Sequence, residues 1–266
     1  MDFLALQDKW FYIAGVANKK SVAYFSAKTL IEAGAKCIFS AQSETQLAAI
    51  QKLFPGSSVF ICDVEKESDL LHLENEIKKH TPVLDGFLHS LAFANFSEGL
   101  KPFHETKRAD YLQAAQISCF SFVEVANKLK NVFSPTASLV TISISNTKAT
   151  SYGYLGPIKA MLDATVPFLA KSFSEFSKVR VNAVGAGPLK TSASAGIPDY
   201  IDNYLYAEEL TLRKEALETQ EVANTVAFLL SPRSSGINAS TVLVDAGMSS
   251  NYFDQNIVKG FAKQKV

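Results

Sequence analysis

The sequence has no excess of either charge: Lys+Arg and Asp+Glu each number 26, and the formal net charge is zero. Proteins that hold nucleic acid neutralise phosphate with a basic surplus or a basic patch, and neither is present. It has only three cysteines, Cys37, Cys62 and Cys119, far apart and each in an apolar segment. That spacing argues against a disulfide framework and for reduced core thiols. Its four histidines, His72, His80, His89 and His104, form no His-x-x-x-His or carboxylate-paired set, so no metal site is expected. No apolar run approaches the roughly 18 residues of a membrane span, and the N-terminus lacks a signal-peptide pattern. The expectation is a cytoplasmic protein with no nucleic-acid, membrane or metal partner.

What is present is core-forming material in regular alternation. With 47% hydrophobic residues over 266, the chain can fill one large α/β core. Short apolar runs at 10–14, 36–40, 58–62, 84–90, 137–142, 179–183 and 241–244 read as strands. Between them, helical spacing covers 21–33, 43–53, 67–79, about 109–130, 160–170 and 220–230, with Gly34 and Pro55-Gly56 as stops. Near-continuous apolar strands alternating with helices predict a doubly wound parallel sheet covered on both faces, a single Rossmann-type domain over residues 1–266. Ligands in such sheets bind beyond the carboxyl ends of the strands.

The stretch from Ser143 to Lys159 carries the chemistry. It lies between a strand and a helix and contains hydroxyls, a tyrosine and a lysine. Tyr152 and Lys159 are seven apart, and at about 100° per residue a helix would return them to nearly one face. A lysine beside a phenol is expected to lower its pKa and make a usable proton donor. Pro157 is comfortable only in a first turn, so the regular helix is expected to start after Tyr152. Taken alone, a loop tyrosine and a solvated lysine would give the same pattern.

The strand ends supply a nucleotide-sized set of candidates. Gly15 ends the first strand, and Ser21 and Val22 open the following helix, whose N-terminus suits a pyrophosphate. Only Gly15 survives of a Gly-x-Gly-x-x-Gly pattern. Gln42 follows the second strand where an adenosine ribose would lie, with no arginine or lysine until Lys52. NADH is therefore expected over NADPH, because a 2′-phosphate would meet no cation there. Asp63 suits the adenine amino group, or equally a cap for the next helix. Ser90, Leu91 and Ala92, with Phe93 and Ala94 beyond, follow the fourth strand on the nicotinamide side.

Together these segments resemble the enoyl-(acyl carrier protein) reductases of bacterial fatty-acid synthesis, a divergent branch of the short-chain dehydrogenase/reductase superfamily. The resemblance runs from Phe3 to about Ser250. It rests on Gly15-x5-Ser21-Val-Ala, Gln42, Cys62-Asp63-Val64, Asp85-Gly-Phe-Leu-His-Ser90, Ser121-Phe-Val, Tyr152-x6-Lys159 and Val179-Arg-Val-Asn-Ala-Val-Gly-Ala-Gly-Pro-Leu-Lys-Thr191. Other members of the superfamily use Tyr-x3-Lys, whereas Leu155 stands four before Lys159 here.

The resemblance implies roles for these residues. Gly15, Ser21 and Val22 would line the pyrophosphate, Gln42 the ribose, and Asp63 and Val64 the adenine. Lys159 would hold the nicotinamide ribose, with Leu189 and Thr191 flanking the nicotinamide and phosphates. Tyr152 would face the thioester carbonyl of a trans-2-enoyl substrate delivered on acyl carrier protein and reduced by NADH. A substrate-binding loop at about 190–215, beginning at Ser192, would touch the acyl chain through Ile197, Tyr200, Ile201, Tyr204 and Leu205, with Ala94 and Ile144 on the pocket wall. The family also implies a homotetramer built through the helices around 110–130 and 157–175.

Three departures stand out. Ile144 occupies the place of a second tyrosine after Ser143, and the following loop is about two residues shorter. Ser90-Leu91-Ala92 replaces Ser-x-Gly, and Asp245-Ala246-Gly247 replaces Asp-Gly-Gly. They suggest a divergent paralogue. They leave open a short-chain reductase of another acyl or ketone substrate, or a dinucleotide-binding protein without turnover.

Overall fold

The computed structural model describes residues 3–263 except 192, 193, 195 and 199. Seven parallel strands form one sheet: β1 (Trp10–Ala14), β2 (Lys36–Ala41), β3 (Ser58–Ile61), β4 (Leu84–His89), β5 (Phe133–Ile144), β6 (Arg180–Ala186) and β7 (Ser240–Val244). Their order is β3-β2-β1-β4-β5-β6-β7. Strands are added outward from β1 in one direction up to β3 and in the other from β4 on, so the connections diverge at this switch point and leave a crevice. Ala14 pairs with Ser40 on one side and His89 on the other. The residues following these three positions therefore converge on one crevice.

Helices follow almost every strand. They are α1 (Val22–Glu32), α2 (Glu44–Leu53), α3 (Glu67–Lys78), α4 (Arg108–Ala115), α5 (Ser121–Leu129), α6 (Leu155–Ser174), α7 (Tyr200–Leu210), α8 (Thr219–Leu230) and α9 (Gln255–Lys263). One apolar cluster packs α3, α4, α5 and α6 on one sheet face; a second packs α1, α2 and α8 on the other. Burial on both faces is why the strands read as unbroken apolar runs. Ser21 and Ser43 cap α1 and α2 by accepting from Tyr24 N and Gln46 N.

The structure refines several sequence expectations. The helix expected over about 109–130 is α4 and α5 joined by a π-helical turn, Gln116–Phe120. α6 begins at Leu155, after Tyr152 as Pro157 required, and extends past Pro167 to Ser174. α9 was not anticipated: Gly260 lowers its helix propensity, and its apolar residues Ile257, Val258 and Phe261 are few. Ser192, the first residue of the expected loop, lies outside the described residues. Among the described residues no helix is long and apolar enough to cross a membrane, and no cluster could hold a metal ion.

Arg180 opens β6 and is buried with no acidic partner among the described residues. Its guanidinium donates to the carbonyls of Leu229 (3.2 Å), Ser231 (3.0 Å) and Ser234 (3.0 Å), and to the Ser234 hydroxyl (2.8 Å). The charge thus sits at the C-terminus of α8, where the helix dipole favours a cation. Arg180→Leu should destabilise the chain by about 3 kcal/mol, because it strands buried carbonyls. Chemical denaturation tests this, and an unchanged midpoint would contradict it.

Candidate active site

The crevice at the carboxyl ends of the strands is a cleft of about 1720 Å³, counting its open mouth. Gly15 forms its floor at φ +104°, and a Cβ there would lie 2.2 Å from the Ser90 carbonyl oxygen. Only glycine permits that approach of the β1 and β4 ends. The turn beyond is closed by Asn18, whose carbonyl accepts from Ser21 N (3.1 Å) and the Ser21 hydroxyl (2.8 Å). The first turn of α1, with Ser21 and Val22, then faces the cleft. Its free backbone N–H groups and dipole suit an anion.

At the β2 end, Gln42 lines the cleft with Gln46, which the sequence analysis did not single out. Gln46 accepts from Gln42 N (2.7 Å) and donates to the Val16 carbonyl (3.0 Å), tying this loop to the one after β1. Their i,i+4 spacing was the available signal. Among the described residues no arginine lines the cleft, and its one lysine is Lys159 at the opposite end. Asp63 and Val64 lie at the β3 end. The Asp63 carboxylate also accepts from Glu65 N (3.1 Å), so it braces the turn while facing the cleft. Cys62 lies beside them, and burial pushes its thiol up to about 12, which excludes thiolate chemistry.

The β4 end supplies Ser90, Leu91, Ala92 and Phe93. The backbone of Phe93 is pinned twice by Ser118 on the π turn: its N–H donates to the hydroxyl (2.9 Å), and its carbonyl accepts from it (3.1 Å). Behind this segment His89 is fully buried between the hydroxyls of Thr141 and Ser121, each at 2.8 Å. Burial, and then the charge of Lys159, hold its pKa down to about 3, so it is a neutral structural imidazole.

Tyr152 and Lys159 meet at the β5 end with Ile142, Ser143 and Ile144. Tyr152 closes a 3-10 turn (Thr150–Tyr152), and Gly153 at φ +60° redirects the chain into α6. Lys159 is buried and donates to the Ile142 carbonyl at 2.7 Å, which leaves its other protons for a ligand. Burial lowers its pKa to about 8, opposed by Asp163 and Cys119. Tyr152 contradicts the expected acidification. Burial, with Tyr200 adding to it, raises its pKa, so the phenol keeps its proton. Ile144 puts an apolar wall beside it. Tyr154 is no substitute for Tyr152, because its hydroxyl accepts from Asn95 N (2.7 Å) and donates to Asn95 O (3.2 Å).

Leu189, Thr191 and Tyr200 complete the cleft beyond β6. Every expected cofactor residue lines it, as do Ile144, Tyr152 and Tyr200 of the expected substrate set. Ala94, Ile197 and Ile201 do not. Ala94 packs towards the core, Ile197 is buried, and Ile201 is 55% exposed. Apolar character drew attention to all three, but it does not say which side of a segment faces the cleft.

A family model described as enoyl-(acyl carrier protein) reductase matches residues 15–249. The chain is 33% identical over 246 residues to the NADH enoyl-(acyl carrier protein) reductase of Enterococcus faecalis, covering 91% of this chain and 98% of that one. It is 32% identical over 251 residues to the NADPH enzyme of Staphylococcus aureus, covering 92% and 98%. A crystal structure of the reductase from Candidatus Liberibacter asiaticus superposes with a TM-score of 0.88 at 29% identity, covering 92% and 96%. One of the Bacillus cereus reductase with NADP+ and an indole naphthyridinone gives 0.86 at 32% identity, covering 91% and 96%.

Proposed function

The chain belongs to the enoyl-(acyl carrier protein) reductase family, and we infer from that membership that it reduces the carbon–carbon double bond of a trans-2-enoyl thioester on acyl carrier protein, using NADH, in fatty-acid synthesis. The observation that carries this assignment to particular residues is the single cleft in which Gly15, Gln42, Asp63, Leu189 and Thr191 share a wall with Tyr152 and Lys159. These residues fit a dinucleotide. The Gly15 cradle and the α1 N-terminus would hold its pyrophosphate, Gln42 and Asp63 its adenosine, and Lys159 its second ribose. When bound, NADH supplies the hydride that reaches the substrate β-carbon.

The rest is work for the chain's own groups. Negative charge develops on the thioester oxygen, and Tyr152, kept protonated by desolvation in the cleft, donates a hydrogen bond to it. Lys159 would hold a ribose hydroxyl of the dinucleotide with the protons that the Ile142 carbonyl leaves free. Ile144 offers no donor, so the Tyr152 hydroxyl carries more of this stabilisation. The loop at about 190–215 is proposed to cover the acyl chain. Exposed Leu112, Phe120 and Phe168 along α4–α6 support assembly into a homotetramer through these helices. Cytoplasmic residence is part of the same proposal.

NADH oxidation followed with crotonyl and longer enoyl thioesters, beside β-ketoacyl thioesters, tests the assignment. Enoyl turnover is expected; turnover of the ketones alone would overturn it. Activity with NADH should exceed that with NADPH by about tenfold or more, the effect of roughly 1.4 kcal/mol. A 2′-phosphate beside Gln42 would meet Gln46 and Glu65, and among the described residues no cation lines that end of the cleft; the nearby Lys66 is paired with Asp63.

A further inference from the structure

Tyr200 opens α7, and its ring lines the cleft close enough to Tyr152 to hinder that phenol's ionisation. Its hydroxyl does not point into solvent. It accepts from Leu189 N at 2.8 Å and donates to the Leu189 carbonyl at 2.9 Å. One side-chain group therefore satisfies both backbone groups of a single cleft-lining residue. Ser194 reinforces the arrangement by donating to the same carbonyl (2.7 Å) while accepting from Thr191 N (2.9 Å).

A group that takes one hydrogen bond from an N–H and gives one to the neighbouring C=O is the match of a primary carboxamide, which has one acceptor and two donors. The nicotinamide end of a dinucleotide carries such a group, and with its ribose at Lys159, as the proposed function has it, that end would lie in the part of the cleft that Leu189 lines. We propose that the Tyr200 hydroxyl is a self-ligand of the cleft, filling the Leu189 N–H and C=O at which the carboxamide would bind, so that seating the cofactor displaces it. Tyr200 is then a specificity-determining residue that sets cofactor affinity against its own hydrogen bonds.

The proposal rests on the cleft being the cofactor site, and the test separates the two ideas. NAD+ and ADP-ribose, which lacks the nicotinamide and its amide, are titrated into the full-length chain and into Tyr200→Phe by calorimetry. Removing the hydroxyl frees the Leu189 N–H and takes one of three donors off its carbonyl, leaving Ser194 and Thr191 N there, so the variant should bind NAD+ about tenfold more tightly, equivalent to about 1.4 kcal/mol. ADP-ribose affinity should stay within about twofold. Equal tightening of both ligands would overturn the proposal, because the effect would not depend on the amide. So would NAD+ affinity that is unchanged or weaker. If wild type bound neither ligand, the cofactor reading itself would fail and take the proposal with it. Tyr200→Leu repeats the comparison without a ring, and a selective gain for NAD+ is expected again.

Discussion

Tyr152→Phe is expected to lower kcat for enoyl thioester reduction by about 100- to 1000-fold, the usual cost of removing one oxyanion donor. The NADH dissociation constant should change by less than about twofold. The substitution deletes one oxygen from a half-buried ring on a 3-10 turn, so the cleft keeps its shape. Ile144 cannot replace the lost donor, and Tyr154 is committed to Asn95. Because burial raises the Tyr152 pKa, the wild-type phenol remains a donor across the neutral range, and its own ionisation should not appear as an alkaline limb near neutrality. Turnover within threefold of wild type in Tyr152→Phe would remove Tyr152 from the mechanism.

Lys159→Met should weaken NADH binding by about tenfold or more and reduce turnover further, since it deletes the one cation in the cleft. Wild type itself should show the same dependence through pH. The buried ammonium titrates at about 8, so NADH affinity is expected to fall as pH rises through that value. Stability should move the other way. The folded pKa lies below the ordinary lysine value of 10.5, so between the two values the unfolded chain binds more protons, and stability rises with pH. The groups facing Lys159 are Asp163 and Cys119, which favour its charge, and His89, which stays neutral there. Fluorescence titration of NADH from pH 6 to about 10 measures the first trend. A flat profile in wild type, or the same slope in Lys159→Met, would show that another group controls it.

The two substitutions separate the paired motif into its parts. The seven-residue spacing suggested a shared helical face, but Tyr152 precedes the helix and only Lys159 belongs to α6. They line the same cleft, with Gly153 turning the chain at a positive φ between them. Their coupling also differs from the sequence expectation. The Lys159 charge is felt at His89, Cys119 and Asp163, while burial governs Tyr152.

From the sequence and the resemblance it carries came the alternation of strand and helix, the parallel sheet, and the residues proposed to hold the cofactor, all of which line the cleft. The physical reason is local. Strands buried on both faces must be apolar throughout, and residues that follow parallel strands at a switch point are carried to one edge whatever the details of packing. Gly15 was legible for the same reason, as a tight turn at a strand end. What only the tertiary structure decided depends on groups brought together from distant parts of the chain. Ser118 clasps Phe93, Gln46 ties down Val16, and His89 sits between Ser121 and Thr141. Tyr200 reaches back to Leu189. Each is a polar side chain whose partner no periodicity reveals, since hydroxyls and amides suit a surface as well as a core. The sign of the Tyr152 shift belongs with them, because it is a sum of burial and neighbours that exists only once the cleft has closed around the phenol.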